Sequence, residues 1–343
     1  MAEQSSDVKN SDNSAGGHKL GLISLIAIVV SSMLGGGVFS LPQNTAASSA
    51  LGPVIIAWII AGIGIYFIAN SFRVLSDLRP DLQAGVYMYA QEGFGSFIGF
   101  NVAWGYWLMT AFGNVAFAVI LMDAFNQFMP GVFTDGNNLN SIICGSVLIW
   151  GYNFLVLSGT KVAGFVNTLG TIAKLVPLIL FVLLLGVLID YSDLFKNFWG
   201  ESPAILSGNG NDAAPVSLLS QILAPMTVTL WAFIGVEGAV VLSGRAKNKQ
   251  DVGKATLIGF LLALIIYMLM SILPFGVMPQ AELAQVSNPS TAGVLAHVVG
   301  QWGDWLMSAG LIISVLAGWL AWTMLCAEIP MVAGCLLYTS DAA

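Results

Sequence analysis

The run Trp231-Ala-Phe-Ile-Gly-Val-Glu237 places a carboxylate and a glycine inside a segment otherwise apolar enough to cross a membrane. An ionised group at that depth is costly and usually marks the path of a substrate, an ion or a proton, so Glu237 is a candidate proton-sensing or coupling residue. A protonated carboxyl donating a hydrogen bond to a neighbouring helix is the structural alternative. A second interruption, Ser31-Ser-Met-Leu-Gly-Gly-Gly37, sits at matching depth in the first apolar run. Gly35, Gly36 and Gly37 lack side chains that would block close approach. A half-helix starting at Val38-Phe39-Ser40-Leu41 would aim free N–H groups and its positive dipole end at the gap, where an anionic group such as an amino-acid carboxylate fits. Glycines that only let two helices pack closely would read the same way. Paired interruptions in two halves of a membrane protein point to a binding site near the bilayer midplane.

Other residues stand out by type and depth. Lys174, just before Pro177 in the fifth apolar run, is a second charge inside a span. Its ammonium could fill a place a sodium ion takes in sodium-driven carriers, or snorkel to the cytoplasmic face. Trp231 and Trp322 lie near the depth of the interruptions and could stack on a guanidinium or ammonium group, at about 0.5 to 2 kcal/mol per contact; plain packing is the commoner explanation for any single tryptophan. Asn114 offers an uncharged polar contact or a hydrogen bond between helices. Glu328 and Asp123 fall toward span ends, where a solvated or interfacial setting is expected. Enzyme signatures are missing: there is no Gly-x-Ser-x-Gly, His-Glu-x-x-His or Gly-x-x-x-x-Gly-Lys-Ser/Thr, and His18 and His297 are too far from the apolar core for a relay. Neither a cofactor nor a metal site is expected, and nothing suggests nucleic-acid binding.

The elements that must position these residues are membrane helices. Of 343 residues, 57% are hydrophobic and 8% charged, a balance a water-facing surface would not tolerate. Crossing a hydrocarbon core of roughly 30 Å takes about 20 helical residues. Such runs occur near 20 to 41, 52 to 75, 95 to 129, 140 to 157, 163 to 190, 217 to 243, 255 to 278 and 302 to 327, which predicts an all-α membrane protein of about eight spans. No period-two alternation suggests a barrel. With the N-terminus cytoplasmic, Lys9, Lys19, Arg73, Arg79, Lys161, Arg245, Lys247, Lys249 and Lys254 lie inside and Lys196 alone outside, a decisive asymmetry. Residues 1–18 read as a disordered cytoplasmic tail, with no secretory signal. Cys144, Cys326 and Cys335 have unrelated spacings and form no disulfide framework.

Three stretches, Gly35-Gly-Gly-Val-Phe-Ser-Leu-Pro42-Gln-Asn, Gly85-Val-Tyr-Met-Tyr-Ala-Gln-Glu-Gly-Phe-Gly95, and Trp231 to Glu237 followed by Ser243-Gly-Arg-Ala-Lys-Asn, resemble the amino acid-polyamine-organocation superfamily. Within it the chain is most similar to the basic amino acid/polyamine antiporters, particularly the arginine/ornithine antiporters, from about Lys19 to Ala333. The resemblance implies two inverted five-helix repeats, the first over 19–190 and a partial second over 191–334, with an atypical end over 335–343. Gly35 to Gly37 would bind a substrate carboxylate, and carbonyls around Trp231, Ala232 and Ile234 its α-amino group. Trp231 would be a gate, Trp322 would contact the substrate side chain, Asn114 its polar end, and Glu237 would be proton-sensitive. Lys174 resembles the lysine that stands in for sodium in some relatives. Ser32 and Gly36 depart from the polar residues of arginine/agmatine relatives, which changes ligand contacts there. Since the family has twelve spans, the expectation is a C-terminally truncated chain lacking the last four. The implied function is exchange of basic amino acids, arginine for ornithine, across the cytoplasmic membrane by alternating access, in the lipid bilayer and with a homodimer as the one allowed assembly. The rivals are a proton-coupled symporter for lysine or a neutral amino acid, and a membrane enzyme or sensor on the same scaffold.

Overall fold

The chain leaves helical geometry at the two glycine-bearing interruptions. The computed structural model describes residues 19–82, 84–195, 197–200 and 217–340. Helix α1 (Leu22–Met33) stops ahead of the glycine run, a 3-10 turn covers Gly37–Ser40, and α2 (Leu41–Ser48) follows, with a bend of 45° between the two halves. Pro42 lies in the first turn of α2, where its missing N–H breaks no helical bond. Next come α3 (Leu51–Leu78), α4 (Val86–Phe94), α5 (Ser96–Asn126), α6 (Leu139–Leu157), α7 (Thr160–Leu188) and the short α8 (Tyr191–Phe195). The second interruption separates α9 (Leu218–Ala232) from α10 (Gly238–Val241), and the chain closes with α11 (Gln250–Ile272), α12 (Gln280–Leu283), α13 (Ser290–Val299) and α14 (Gln301–Ser340).

Six helices, α3, α5, α6, α7, α11 and α14, are each long and apolar enough to span a bilayer, and the bent pair α1–α2 makes a seventh. The eighth expected run, 217–243, is held by α9 and α10, each too short to cross alone because the break divides them. All eight runs are therefore helical, and among the described residues the only β-type pairing is one isolated bridge, Leu20 to Ala246. Large side chains such as Phe67, Phe97, Phe112, Trp150, Phe165 and Val187 are exposed, as expected where lipid is the solvent. The tail over 1–18, with Lys9 and His18, lies outside the described residues, as do Lys196 and most of the loop after α8.

Helix α1 occupies the centre, packed against α7, α10, α11 and α14, so Ala27 through Leu34 are all buried. That position explains a helix apolar on every side and carrying Ser31 and Ser32. Around it, α3 packs on α9 and α11, and α5 and α7 both pack on α14. An aromatic cluster pins the second interruption: Trp58 of α3 stacks on Tyr267 of α11 at 5.5 Å, and Phe233, first residue after α9, meets both edge-on at 5.9 and 5.6 Å.

Candidate functional site

A helix that ends inside a membrane leaves carbonyls that cannot find water, so each must be matched by protein. At the end of α1 nearly every one is. Leu34 N–H donates to the Val30 carbonyl at 2.8 Å and Gly35 N–H to that of Met33 at 2.8 Å. The Trp322 indole Nε1 donates to the Ser32 carbonyl at 2.9 Å. Ser314 Oγ donates to the carbonyls of Leu34 and Gly35, both at 3.0 Å. Lys174, fully buried on α7, donates its three protons to Ser31 O at 3.2 Å, Ser31 Oγ at 3.1 Å and Leu34 O at 2.5 Å. Its ammonium thus sits at the negative end of the α1 dipole, with no carboxylate in ion-pair range among the described residues. Snorkelling is the alternative this geometry does not show.

Beyond the break the balance reverses. The N–H groups of Gly36, Gly37 and Val38 donate to no backbone carbonyl among the described residues. Val38 is the half-helix start expected from sequence, and the open donors begin two residues before it, at Gly36, because the 3-10 turn begins at Gly37. The glycines here are bare through lack of space: a Cβ on Gly35 would stand 3.0 Å from the Phe117 ring, and one on Gly37 only 2.5 Å from Trp231. At the second interruption Tyr267 Oη donates to Ala232 O at 2.8 Å, while Gly235 N–H donates to Glu237 Oε2 at 3.1 Å. The Ile234 carbonyl accepts nothing among the described residues. Gly235 holds φ at 109°, a region closed to most residues, and a Cβ there would sit 2.8 Å from the Ser32 backbone.

The two interruptions touch. The Ser32 hydroxyl, 2.8 Å from Gly235 O, shares its one proton among that carbonyl and those of Ile28 at 2.8 Å and Val29 at 3.0 Å, and both segments face a cavity of about 230 Å³. Ser32, Gly35, Gly36, Gly37, Trp231, Ala232, Ile234 and Trp322 all line it, as do Met109, Phe117 and Tyr267. No carboxylate, lysine or arginine is among its lining residues. Three of the sequence-derived residues stand off. Asn114 donates to Thr110 O at 2.8 Å and accepts from Thr323 Oγ1 at 3.1 Å, a bond between α5 and α14. Glu237 lies beyond the lining and accepts from the Tyr106 hydroxyl at 2.9 Å. Lys174 lies behind α1. Tyr106, Tyr267 and Ser314 were not singled out from sequence; a lone hydroxyl in an apolar helix is the only local trace they leave.

The cavity is shut on the lysine- and arginine-bearing face. Leu20 N–H donates to Arg245 O and Lys247 N–H to Leu20 O, both at 2.7 Å, tying the entry to α1 onto the segment after α10. Arg245 Nε pairs with Glu328 of α14 at 3.2 Å, and Glu328 is only 5% exposed, so it is a buried ion-pair partner and not the solvated group its place near a span end suggested. Lys249 Nζ donates to Ser243 O at 2.8 Å, and burial, helped by the charge of Lys19, pushes that ammonium below its ordinary pKa. Toward the opposite face a second cavity of about 430 Å³ shares Gly36, Gly37, Ile120 and Trp231 with the first. The half-exposed Trp231 indole lines both.

Residues 20–330 match the family model described as amino acid permease. The chain is similar to a protein of Chlamydia abortus named arginine/agmatine antiporter, 52% identical over 322 residues, which cover 93% of this chain and 65% of that one. Proteins of the same name from Chlamydia pneumoniae and Chlamydia trachomatis serovar L2 are 54% and 52% identical, over 91% and 92% of this chain and 63% of each relative. The chain therefore spans about two thirds of the length of these relatives.

Proposed function

This chain belongs to the amino acid permease family, a multi-pass membrane protein, and from that premise we propose that it exchanges basic amino acids by alternating access, with arginine as one substrate. The observation that carries the reading is the contact between two helix breaks whose open peptide groups face one cavity. The N–H groups of Gly36, Gly37 and Val38 take the carboxylate, and the Ile234 carbonyl takes the α-amino group. Met109, Phe117 and Trp322 surround the side chain, and the aromatic faces hold its cationic end without a carboxylate to trap it. Trp231 gates the cavity, and Glu237 with Tyr106 carries the response to protons. Lys174 does for α1 what a bound sodium ion would. The 19–190 and 191–334 segments act as the two repeats.

The lysine and arginine residues gather on one face, which supports a cytoplasmic N-terminus in the cell membrane and a cavity open to the outside. Pairing with a second copy is the assembly to test by crosslinking in membranes. The relatives' names point to agmatine as the counter-substrate, whereas the sequence motifs point to ornithine. Counterflow into proteoliposomes of the full-length protein, preloaded with agmatine, ornithine or nothing, separates these. Labelled arginine should accumulate only in loaded vesicles, and equal uptake into empty ones removes the exchanger. The absence of a carboxylate from the cavity favours one second reading, a carrier of large neutral amino acids; counterflow of norleucine matching that of arginine would establish it.

A further inference from the structure

The larger cavity differs from the inner one in charge. It adjoins the inner cavity on the lysine- and arginine-free side, the two sharing the wall formed by Gly36, Gly37, Ile120 and Trp231. Asp123 lines it, three residues, or about 4.5 Å of helical rise, beyond Ile120 on α5. The Asp123 carboxylate is exposed and makes no hydrogen bond or ion pair among the described residues. Asp135 adds its field to the same place, and among the described residues no lysine or arginine lines the cavity. A second observation is independent of charge. Ser308 of α14 lines the same cavity with 2% of its surface exposed, and its Oγ has no hydrogen-bond partner among the described residues. A buried hydroxyl left unmatched calls for an explanation, and one in the wall of a cavity that an open carboxylate also lines is a place for a donor.

We infer that this vestibule is an outer subsite for an organic cation, with Asp123 pairing a guanidinium or ammonium group and Ser308 Oγ accepting one of its N–H protons. The inference rests on the exchange reading and deepens it. The outer site selects by charge, the inner by peptide groups and aromatic faces, and Trp231 stands between them. Guanidinium suits the arrangement because its fork of donors can reach two acceptors at once.

Equilibrium dialysis of the purified full-length protein in nanodiscs, with labelled arginine, lysine and norleucine, tests it. Two molecules of arginine or lysine should bind per chain and no more than one of norleucine. Asp123→Asn should remove the outer molecule and raise the half-saturating external arginine concentration about tenfold. Ser308→Ala should weaken the outer site roughly 3- to 10-fold. Because Asp123 is exposed, its substitution leaves packing intact. A single arginine per chain, unchanged in Asp123→Asn, overturns the subsite while leaving exchange in place. Norleucine filling two sites overturns selection by charge, and no arginine bound to any chain overturns both the subsite and the functional reading.

Discussion

Replacing Glu328 by Gln cuts the only charge pair among the described residues that holds the closed face together with a buried partner. At 3.2 Å the Coulomb attraction between Arg245 and Glu328 amounts to about 5 kcal/mol at an effective dielectric of 20 and about 1 kcal/mol in bulk water. The Arg245 side chain is 29% exposed and that of Glu328 6%, so partial screening and desolvation bring the net effect to about 2 kcal/mol. That energy favours only conformations in which α14 and the segment after α10 are in contact. Losing it shifts the balance between closed and open toward the form open on that face by roughly 30-fold. The assay is arginine affinity from the outside, with thermal unfolding alongside. Glu328→Gln should weaken external affinity, and a double-mutant cycle with Arg245→Ala should return a coupling of about 2 kcal/mol. A coupling near zero, or an affinity unmoved while the protein loses stability, refutes the assignment of this pair as a closure contact.

Gly37→Ala puts a methyl group 2.5 Å from the Trp231 ring, so the indole must retreat by about 1 Å; external arginine affinity should fall about tenfold with little change in melting temperature, as competition binding would read. Tyr267→Phe leaves the Ala232 carbonyl without its donor and should cost about 1–3 kcal/mol, seen as a lower midpoint in thermal unfolding, with no loss meaning another donor takes over. Lys174→Met strips Ser31 O of its donor while Ser314 still serves Leu34 O, so uptake should drop at least about tenfold, and replacing sodium by choline should leave the parent protein unaffected. Glu237→Gln keeps the size of the group that accepts from Tyr106 and from Gly235 but removes its charge; the pH profile of uptake should flatten, and an unchanged profile would remove Glu237 from proton sensing.

The helix breaks were legible because their signals are local. Three consecutive glycines, or a glycine two residues before a glutamate, stand out against an apolar background, and backbone strain and close approach are decided within a few residues of them. The apolar runs fixed the helices for the same reason. What the sequence concealed depends on partners far along the chain. Tyr106 meets Glu237 across 131 positions and Ser314 meets Leu34 across 280, and a single hydroxyl in an apolar helix carries no mark of its acceptor. Glu328 looked solvated because its place near a helix end was visible and Arg245 folding back onto it was not. Asn114 illustrates the converse. Its depth suggested the cavity, but rotation about α5 turns it to Thr323.

The contact between Ser32 and Gly235 links the middles of the two interrupted helices into one mechanical part. Such a part tilts; it does not spread. In the proposed exchange, passing the cavity from one side of the bilayer to the other then means rocking α1 and α9–α10 as a unit, so the hinges belong at the far ends of these helices and the grip on the substrate stays the same through the swing.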